Sequence, residues 1–254
     1  MPTTPPAGYV RVTAGRSVAV ARAELEDDAR ALLAAGTLYE AAARTPGVRS
    51  LAGRGVAYSI PLPVTGARAV VRHNRHGGLF APVTKDLFLP PTRAPYELET
   101  SLRLTGLGVR TPQVLMYGIE SVYGVLRRAD VITLEVTGGR DLASYLMPGE
   151  VPALRAEAWR ATRALVRSLN AAGARHHDLN VKNVLLTDGE GGLVAWVLDV
   201  DRVRFGQAHA ASVRVGNATR LLRSARKWRD EHGAVLVESE LSALGAVHDS
   251  VKEL

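Results

Sequence analysis

The stretch His176-His177-Asp178-Leu179-Asn180-Val181-Lys182-Asn183-Val184-Leu185-Leu186 decides the reading of this chain. It runs from a polar loop into a short apolar strand. A glycine turn (Gly189, Gly191, Gly192) follows, then a second apolar strand, Trp196-Val197-Leu198, that ends in Asp199-Val200-Asp201. A hairpin of this form can hold Asp178, Asn183 and Asp199 around one point. Two carboxylates and an amide oxygen suit a hard cation such as Mg²⁺, which takes oxygen ligands and completes its shell with water and phosphate oxygens. Asp and Asn also populate ordinary turns by bonding their own backbone. A lone D-x-x-x-x-N is therefore weak, and the strands on both sides with a carboxylate at the far end make the pattern specific.

The spacing H-x-D-x-x-x-x-N followed by D is that of the catalytic loop and metal-binding Asp of kinases. Upstream, Pro152 to Ala172 repeats Leu154, Ala158, Ala161, Leu165, Val166 and Leu169 at intervals of three and four, the pattern of an amphipathic helix, and Gly173 stops it. That helix delivers the chain to the loop. Downstream, Ala211 to Trp228 reads as a helix carrying Arg214, Asn217, Arg220, Arg223 and Lys227, and Ser239 to Leu254 as a last one.

Composition narrows the class. At 254 residues with 46% hydrophobic and 22% charged residues the chain is globular and large enough for two lobes. It has no cysteine, so disulfides and thiolate metal sites are excluded. No run of about 18 apolar residues is present, and the start, Met1-Pro2-Thr3-Thr4-Pro5-Pro6, lacks the basic-then-apolar order of a signal peptide. A cytoplasmic protein is expected. The net charge of +7 implies an anionic partner. Lysine occurs only at 85, 182, 227 and 252, which leaves 28 arginines, whose planar forks suit phosphate and carboxylate. Aromatics at 5% do not supply a stacking platform for bases, so nucleic acid is not the expected partner.

Before the loop the reading is mainly of strands. Tyr9 to Ala21 is a short hairpin, and Glu24 to Ala43 two short helices broken at Gly36-Thr37. Gly53-Arg54-Gly55 lies between extended runs, where a Gly-x-Gly turn lets backbone N–H groups approach phosphate oxygens. The strand Ala67 to Arg72 follows. Arg72 stands where kinases carry the lysine that contacts nucleotide phosphates and pairs with a helix glutamate. The helix beginning near Pro95 offers Glu97 and Glu99, either of which could face Arg72. Val114 to Gly118, Val125 to Asp130 and Val131 to Val136 read as strands. The last runs through Glu135 into Thr137-Gly138-Gly139, a lobe boundary against whose backbone an adenine is expected to sit, and Asp141 to Leu146 starts the second lobe as a helix.

With these residues in place, the chain resembles the lipopolysaccharide core kinases, the Kdo and heptose kinases of the inner core. The resemblance rests on Gly53-Arg54-Gly55, on Val70-Val71-Arg72-His73-Asn74-Arg75-His76-Gly77-Gly78-Leu79, on Arg93 to Glu97, on Gly138-Gly139-Arg140-Asp141-Leu142, on His176 to Asn183 and on Leu198-Asp199-Val200-Asp201-Arg202. Ordinary protein kinases have Lys at the position of Asn180 and Gly at that of Asp201. The resemblance implies an α+β, bilobal protein-kinase-like fold, with a small mainly β N-lobe holding one key helix and a mainly α C-lobe. The divisions are an N-terminal extension over 1–50 packed on or near the N-lobe, an N-lobe over 51–137 and a C-lobe over 138–254. It implies ATP and Mg²⁺ as cofactors and an anionic glycolipid, the lipid A-core, as acceptor, met peripherally at the cytoplasmic face of the inner membrane. In that scheme Asp178 accepts the sugar hydroxyl's proton, and Asn180 belongs to the same loop. Asn183, Asp199 and Asp201 serve the metal, although Asp201 could instead hold Arg202. Gly53, Arg54, Gly55 and Glu135 belong to the nucleotide site, and Arg72 pairs with Glu97. Asn74 and His76 depart from the family, which often has an aromatic residue and an Arg there. A different kinase on the same scaffold, or a kinase-like module without turnover, are the competing readings.

Overall fold

The computed structural model describes residues 4–51, 56–74 and 86–246. The chain divides into two compact units. One is built from the chain up to Leu102 together with Gln113–Glu135, the other from Arg103–Pro112 together with Val136 onward.

The first unit is a seven-stranded antiparallel sheet. Its strands are β1 (Tyr9–Ala14), β2 (Ser17–Arg22), β3 (Arg49–Leu51), β4 (Ala57–Pro61), β5 (Arg68–His73), β6 (Val114–Val122) and β7 (Leu126–Leu134), in the order β1-β2-β6-β7-β5-β4-β3. The first hairpin is thus part of the main sheet, with Val20 opposite Tyr117 on β6. Side chains alternate across the strands, so each face needs its own cover. On one face Ile60, Ala69, Val71, Met116 and Ile132 pack with α1 (Glu26–Ala34) and α2 (Leu38–Arg44). On the other, Val20, Tyr117, Ala129 and Val131 pack with Ala94 and Leu98 of α3 (Ala94–Gly106). The break at Gly36-Thr37 is a capping box: Thr37 Oγ1 accepts from Glu40 N–H at 3.2 Å, and Glu40 Oε2 accepts from Thr37 N–H at 3.2 Å. The two strands expected at Val125 to Asp130 and Val131 to Val136 are one. β7 pairs on both sides, with β5 and β6, and nothing between Asp130 and Val131 turns the chain.

The second unit begins with β8 (Arg140–Asp141) and a single helical turn, α4 (Leu142–Tyr145), capped by the Asp141 side chain, which accepts from Ser144 N–H at 2.9 Å. Next comes α5 (Pro152–Ala171), 20 residues long with proline in its first turn. Its face of Ala158, Trp159, Leu165, Val166 and Leu169 meets Leu142, Leu146, Leu179, Val184, Leu186 and Val197 in one core. Strands β9 (Ala174–His176), β10 (Val184–Gly189), β11 (Gly192–Val197) and β12 (Val203–Phe205) form two small sheets, β11-β10-β8 and β12-β9. The chain leaves α5 through Gly173, which has φ 65° and would place a Cβ 2.3 Å from Gly206 O. Only glycine fits a position with both demands. The unit closes with α6 (Ala211–His232), which continues one turn past the expected Trp228 to a stop at Gly233 (φ 71°), and α7 (Glu238–Ala246). The rest of the last expected helix lies outside the described residues. Among the described residues no helix is long and apolar enough to cross a membrane.

Candidate active site

The polar loop between β9 and β10 is held from inside the second unit. His176 is fully buried, and its ring links two points: Nδ1 accepts from Asp178 N–H at 3.1 Å, and Nε2 lies 3.0 Å from Leu198 O. Burial lowers the pKa of this imidazole, so it works as the neutral Nε2–H tautomer. The loop's own amides set its shape. Asn180 Oδ1 accepts from the N–H groups of Lys182 (2.9 Å) and Asn183 (3.1 Å), while Asn180 Nδ2 and Asn183 Nδ2 both donate to Asp178 O, at 3.0 and 2.9 Å. Asn180, expected to serve catalysis, thus spends its amide shaping the backbone around Asp178. Lys182 pairs with Asp141.

Helix α6 grips the loop at three points spaced i, i+3 and i+7. Asn217 Oδ1 accepts from His176 N–H at 2.9 Å, Arg220 Nη2 donates to Asp178 Oδ1 at 2.6 Å, and Ser224 Oγ accepts from Val181 N–H at 3.1 Å. In the sequence these residues sit on a helix that is conspicuous only for its positive charge. Their common face is the one available signal of the grip.

The hairpin brings the oxygen donors to one end. Asn183 O accepts from Leu198 N–H at 2.9 Å, and Leu198 O is the atom facing His176 Nε2. Both polar groups of Leu198 are therefore engaged by the loop, and Asp199 follows directly. Asp199 takes the left-handed conformation (φ 55°, ψ 51°), which Asp tolerates better than most residues. Asp201 lies in the short helical turn that follows, with Oδ2 3.7 Å from Arg202 Nε. Among the described residues no three His, Cys, Asp or Glu side chains are grouped to hold a metal. The donors present, Asp199, Asp201 and the Asn183 amide oxygen, are hard oxygen ligands. Their chemistry would suit a hard cation such as Mg²⁺.

In the first unit Arg72 on β5 pairs with Glu97 on α3, and Glu97 is 3% exposed. Of the two glutamates weighed from sequence, Glu97 makes the pair. The sequence resemblance places Glu135 in the nucleotide site. Its carboxylate accepts from Arg49 Nη2 (2.6 Å), Ser59 Oγ (2.7 Å) and Arg68 Nε (3.1 Å). Burial alone would raise its pKa, but these partners outweigh burial and lower it. Gly53, Arg54 and Gly55 lie outside the described residues, as does the basic segment 75–85.

Next to Arg72, His73 bridges two carboxylates, with Nδ1 2.5 Å from Asp130 Oδ1 and Nε2 3.1 Å from Asp86 Oδ2. Tyr39 stacks near the ring at 5.1 Å, and Arg128 Nε reaches Asp86 at 2.9 Å. Burial is the largest single influence and lowers the His73 pKa. The hydrogen bonds and charges of Asp130 and Asp86 together exceed it, so the net shift is upward. A raised folded pKa stabilises fully below the ordinary value of 6.5 and loses that contribution as pH rises through the folded value. The urea midpoint should accordingly fall as pH is raised upward from about 6, and His73→Gln should flatten that slope. Equal slopes in wild type and variant would sink the assignment.

The field around the loop is positive. His177 is exposed, yet its pKa is lowered, first by desolvation and then by Arg175, Arg204 and Arg220.

Residues 41–239 match the lipopolysaccharide kinase (Kdo/WaaP) family. The chain is 34% identical over 203 residues to the 3-deoxy-D-manno-octulosonic acid kinase of Stenotrophomonas maltophilia (strain K279a), covering 78% of this chain and 76% of that one. With the enzyme of the same name from Vibrio parahaemolyticus it shares 30% identity over 203 residues, 75% of this chain and 80% of the other. A solved structure described as WaaP in complex with acyl carrier protein is 17% identical, covers 85% of this chain and 93% of that one, and superposes with a TM-score of 0.49.

Proposed function

This chain belongs to the lipopolysaccharide kinase (Kdo/WaaP) family, and on that premise we propose that it transfers the γ-phosphoryl group of ATP to a hydroxyl of 3-deoxy-D-manno-octulosonic acid in the lipid A-core. The carrying observation is the His176 to Asn183 loop, braced from α6, in a chain whose relatives of that name match it over about three-quarters of both lengths.

In the reaction the acceptor hydroxyl oxygen bonds to the γ-phosphorus and the β–γ bridging bond breaks. The electron pair leaves with ADP, and the hydroxyl proton passes to the Asp178 carboxylate. Phosphoryl transfer asks mainly for positioning and charge neutralisation. Asp178 orients the hydroxyl, and Arg220 orients Asp178. Asn180 and His176 hold the backbone from which Asp178 projects. Asn183 and Asp199, with Asp201 beside them, would hold Mg²⁺, which when bound neutralises charge on the nucleotide phosphates. In the first unit, Arg72, steadied by Glu97, and Gly53, Arg54 and Gly55 would be the candidates for contacting nucleotide phosphates. Glu135 would mark the nucleotide's backbone contact, its side chain being committed to Arg49 and Arg68. The +7 net charge favours a peripheral position at an anionic membrane surface, where each nearby basic residue contributes about 1 kcal/mol.

The test is phosphate transfer by the purified protein with Mg²⁺-ATP and a Kdo-containing lipid A precursor, read by mass spectrometry of the lipid and by ADP release. ADP release that depends on the lipid, with one phosphate gained by it, is the expected result. ATP binding without lipid-dependent turnover would refute the acceptor.

A further inference from the structure

We propose that Arg175, Arg204 and Arg220 form an oxyanion-binding site beside the catalytic loop, continued along α6 by Arg223 and Lys227, that seats an acidic group of the acceptor. The inference rests on the kinase reading above and deepens it by naming the surface that holds the acceptor.

The first observation is a register. In the β9–β12 pair Arg175 stands directly opposite Arg204. Their neighbours His176, Val203 and Ala174 are buried, so alternation places both arginines on the outer face. Directly opposed residues bring their Cβ atoms within about 5 Å, and like charges there are destabilising. An oxyanion placed between two such cations is held by charge-assisted hydrogen bonds from both.

The second observation is a close approach. A Cβ on Gly216 of α6 would lie 2.6 Å from Arg175 Nε. The bare backbone at 216 is what lets Arg175 lie along the helix. Counting from Gly216, Arg220, Arg223 and Lys227 fall at i+4, i+7 and i+11, one stripe of the helix about 16 Å long. The stripe starts at the arginine that touches Asp178 and runs outward. Arg223 and Lys227 are exposed.

The third observation is the balance of charge. Among the described residues no carboxylate lies within ion-pair distance of Arg175. On the stripe, Asp178 accepts from Arg220 at 2.6 Å, and Glu231 lies 3.7 Å from Lys227. Arg204 donates through Nη1 to Val203 O at 2.9 Å. His177, immediately before Asp178, has its pKa lowered first by desolvation and then by Arg175, Arg204 and Arg220, so all three charges reach the same imidazole.

An octulosonic acid carries a carboxylate, and a lipid A precursor carries phosphates. Both are oxyanions that an arginine fork binds in two-point fashion. Bound on this stripe, either would present the sugar hydroxyl on the Asp178 side of the site.

The test uses full-length protein and separate KM values for acceptor and ATP in wild type, Arg175→Gln, Arg204→Gln, the double variant and Gly216→Ala. Each arginine variant should raise the acceptor KM about tenfold, the double variant more, with the ATP KM within about twofold. Gly216→Ala keeps every charge but displaces Arg175, and should raise the acceptor KM alone. Carboxyl-reduced and dephosphorylated acceptors identify the source, since the acceptor lacking the bound group should be indifferent to the arginine variants. An unchanged acceptor KM in the double variant overturns the site, as does an equal rise in both KM values. Absence of lipid-dependent turnover in wild type overturns the kinase reading itself.

Discussion

Asp178→Asn should lower kcat by about a hundred- to ten-thousand-fold, the range over which a positioned general base contributes, while leaving the melting temperature and ATP affinity nearly unchanged. The structure makes this substitution clean. Three bonds hold the backbone of residue 178 in the loop: its N–H donates to His176 Nδ1, and its carbonyl accepts from Asn180 and Asn183. None of them depends on the side chain being a carboxylate. Arg220 donates to Oδ1 at 2.6 Å, and an amide oxygen can accept the same bond. On the proposed mechanism, what is lost is the ability to take the hydroxyl proton. Arg220→Ala makes the opposite change, keeping the base and removing the group that orients it, and its kcat should fall less. Turnover of Asp178→Asn within tenfold of wild type would remove Asp178 from the role of base, and a large fall in its melting temperature would show a structural role instead.

How much of this could be read in advance follows the distance between partners along the chain. The α5 periodicity, the β10–β11 hairpin and the loop spacing are local, and the structure reproduces each. The pairing of Arg72 with a helix carboxylate was expected across 25 residues because the motif order carries it, and the structure selects Glu97 over Glu99. Other contacts had no local signal. The three α6 contacts to the loop span 41, 42 and 43 residues. They arise only once Leu221 and Ala225, on the apolar face of the same helix, have packed into the core of the second unit. The Glu135 cluster spans 86 residues to Arg49, and the His73–Asp130 bridge 57. Both depend on strand order in the sheet. A charged residue on a sheet or helix face reads from sequence as solvated until its cross-strand neighbour is known. Glu135, at the end of a strand, carries no sequence signal of its bonds to Arg49, Ser59 and Arg68. The Arg175–Arg204 pair was invisible for the same reason. Each is an ordinary surface arginine until the β9–β12 register sets them side by side.

The largest effect on stability is expected at Asn217, and it links fold to chemistry. Its side chain is fully buried and makes three bonds: Oδ1 accepts from His176 N–H at 2.9 Å, and Nδ2 donates to Ala174 O at 2.9 Å and to Asn170 Oδ1 at 3.0 Å. Truncation to Ala leaves the His176 N–H and the Asn170 oxygen without these partners in a dry interior. At about 1–3 kcal/mol for each abandoned buried group, partly relieved by relaxation, the loss is about 2–4 kcal/mol. For a protein of this size that is a fall of roughly 5–15 °C in melting temperature. Asn217→Asp separates size from hydrogen bonding. It keeps an acceptor for His176 but cannot donate to Ala174 or Asn170, and it buries a charge, so it should be at least as damaging as Ala. Ser224→Ala, which removes the single bond to Val181 N–H from a half-buried position, should cost only about 1 kcal/mol. Because His176 links Asp178 N–H to Leu198 O, its release should also lower kcat in both Asn217 variants at temperatures where the protein is still folded. Calorimetry paired with hydrogen exchange at the His176 amide measures both consequences. An Asn217→Ala protein that melts with wild type and keeps that amide protected would mean the helix does not hold the loop.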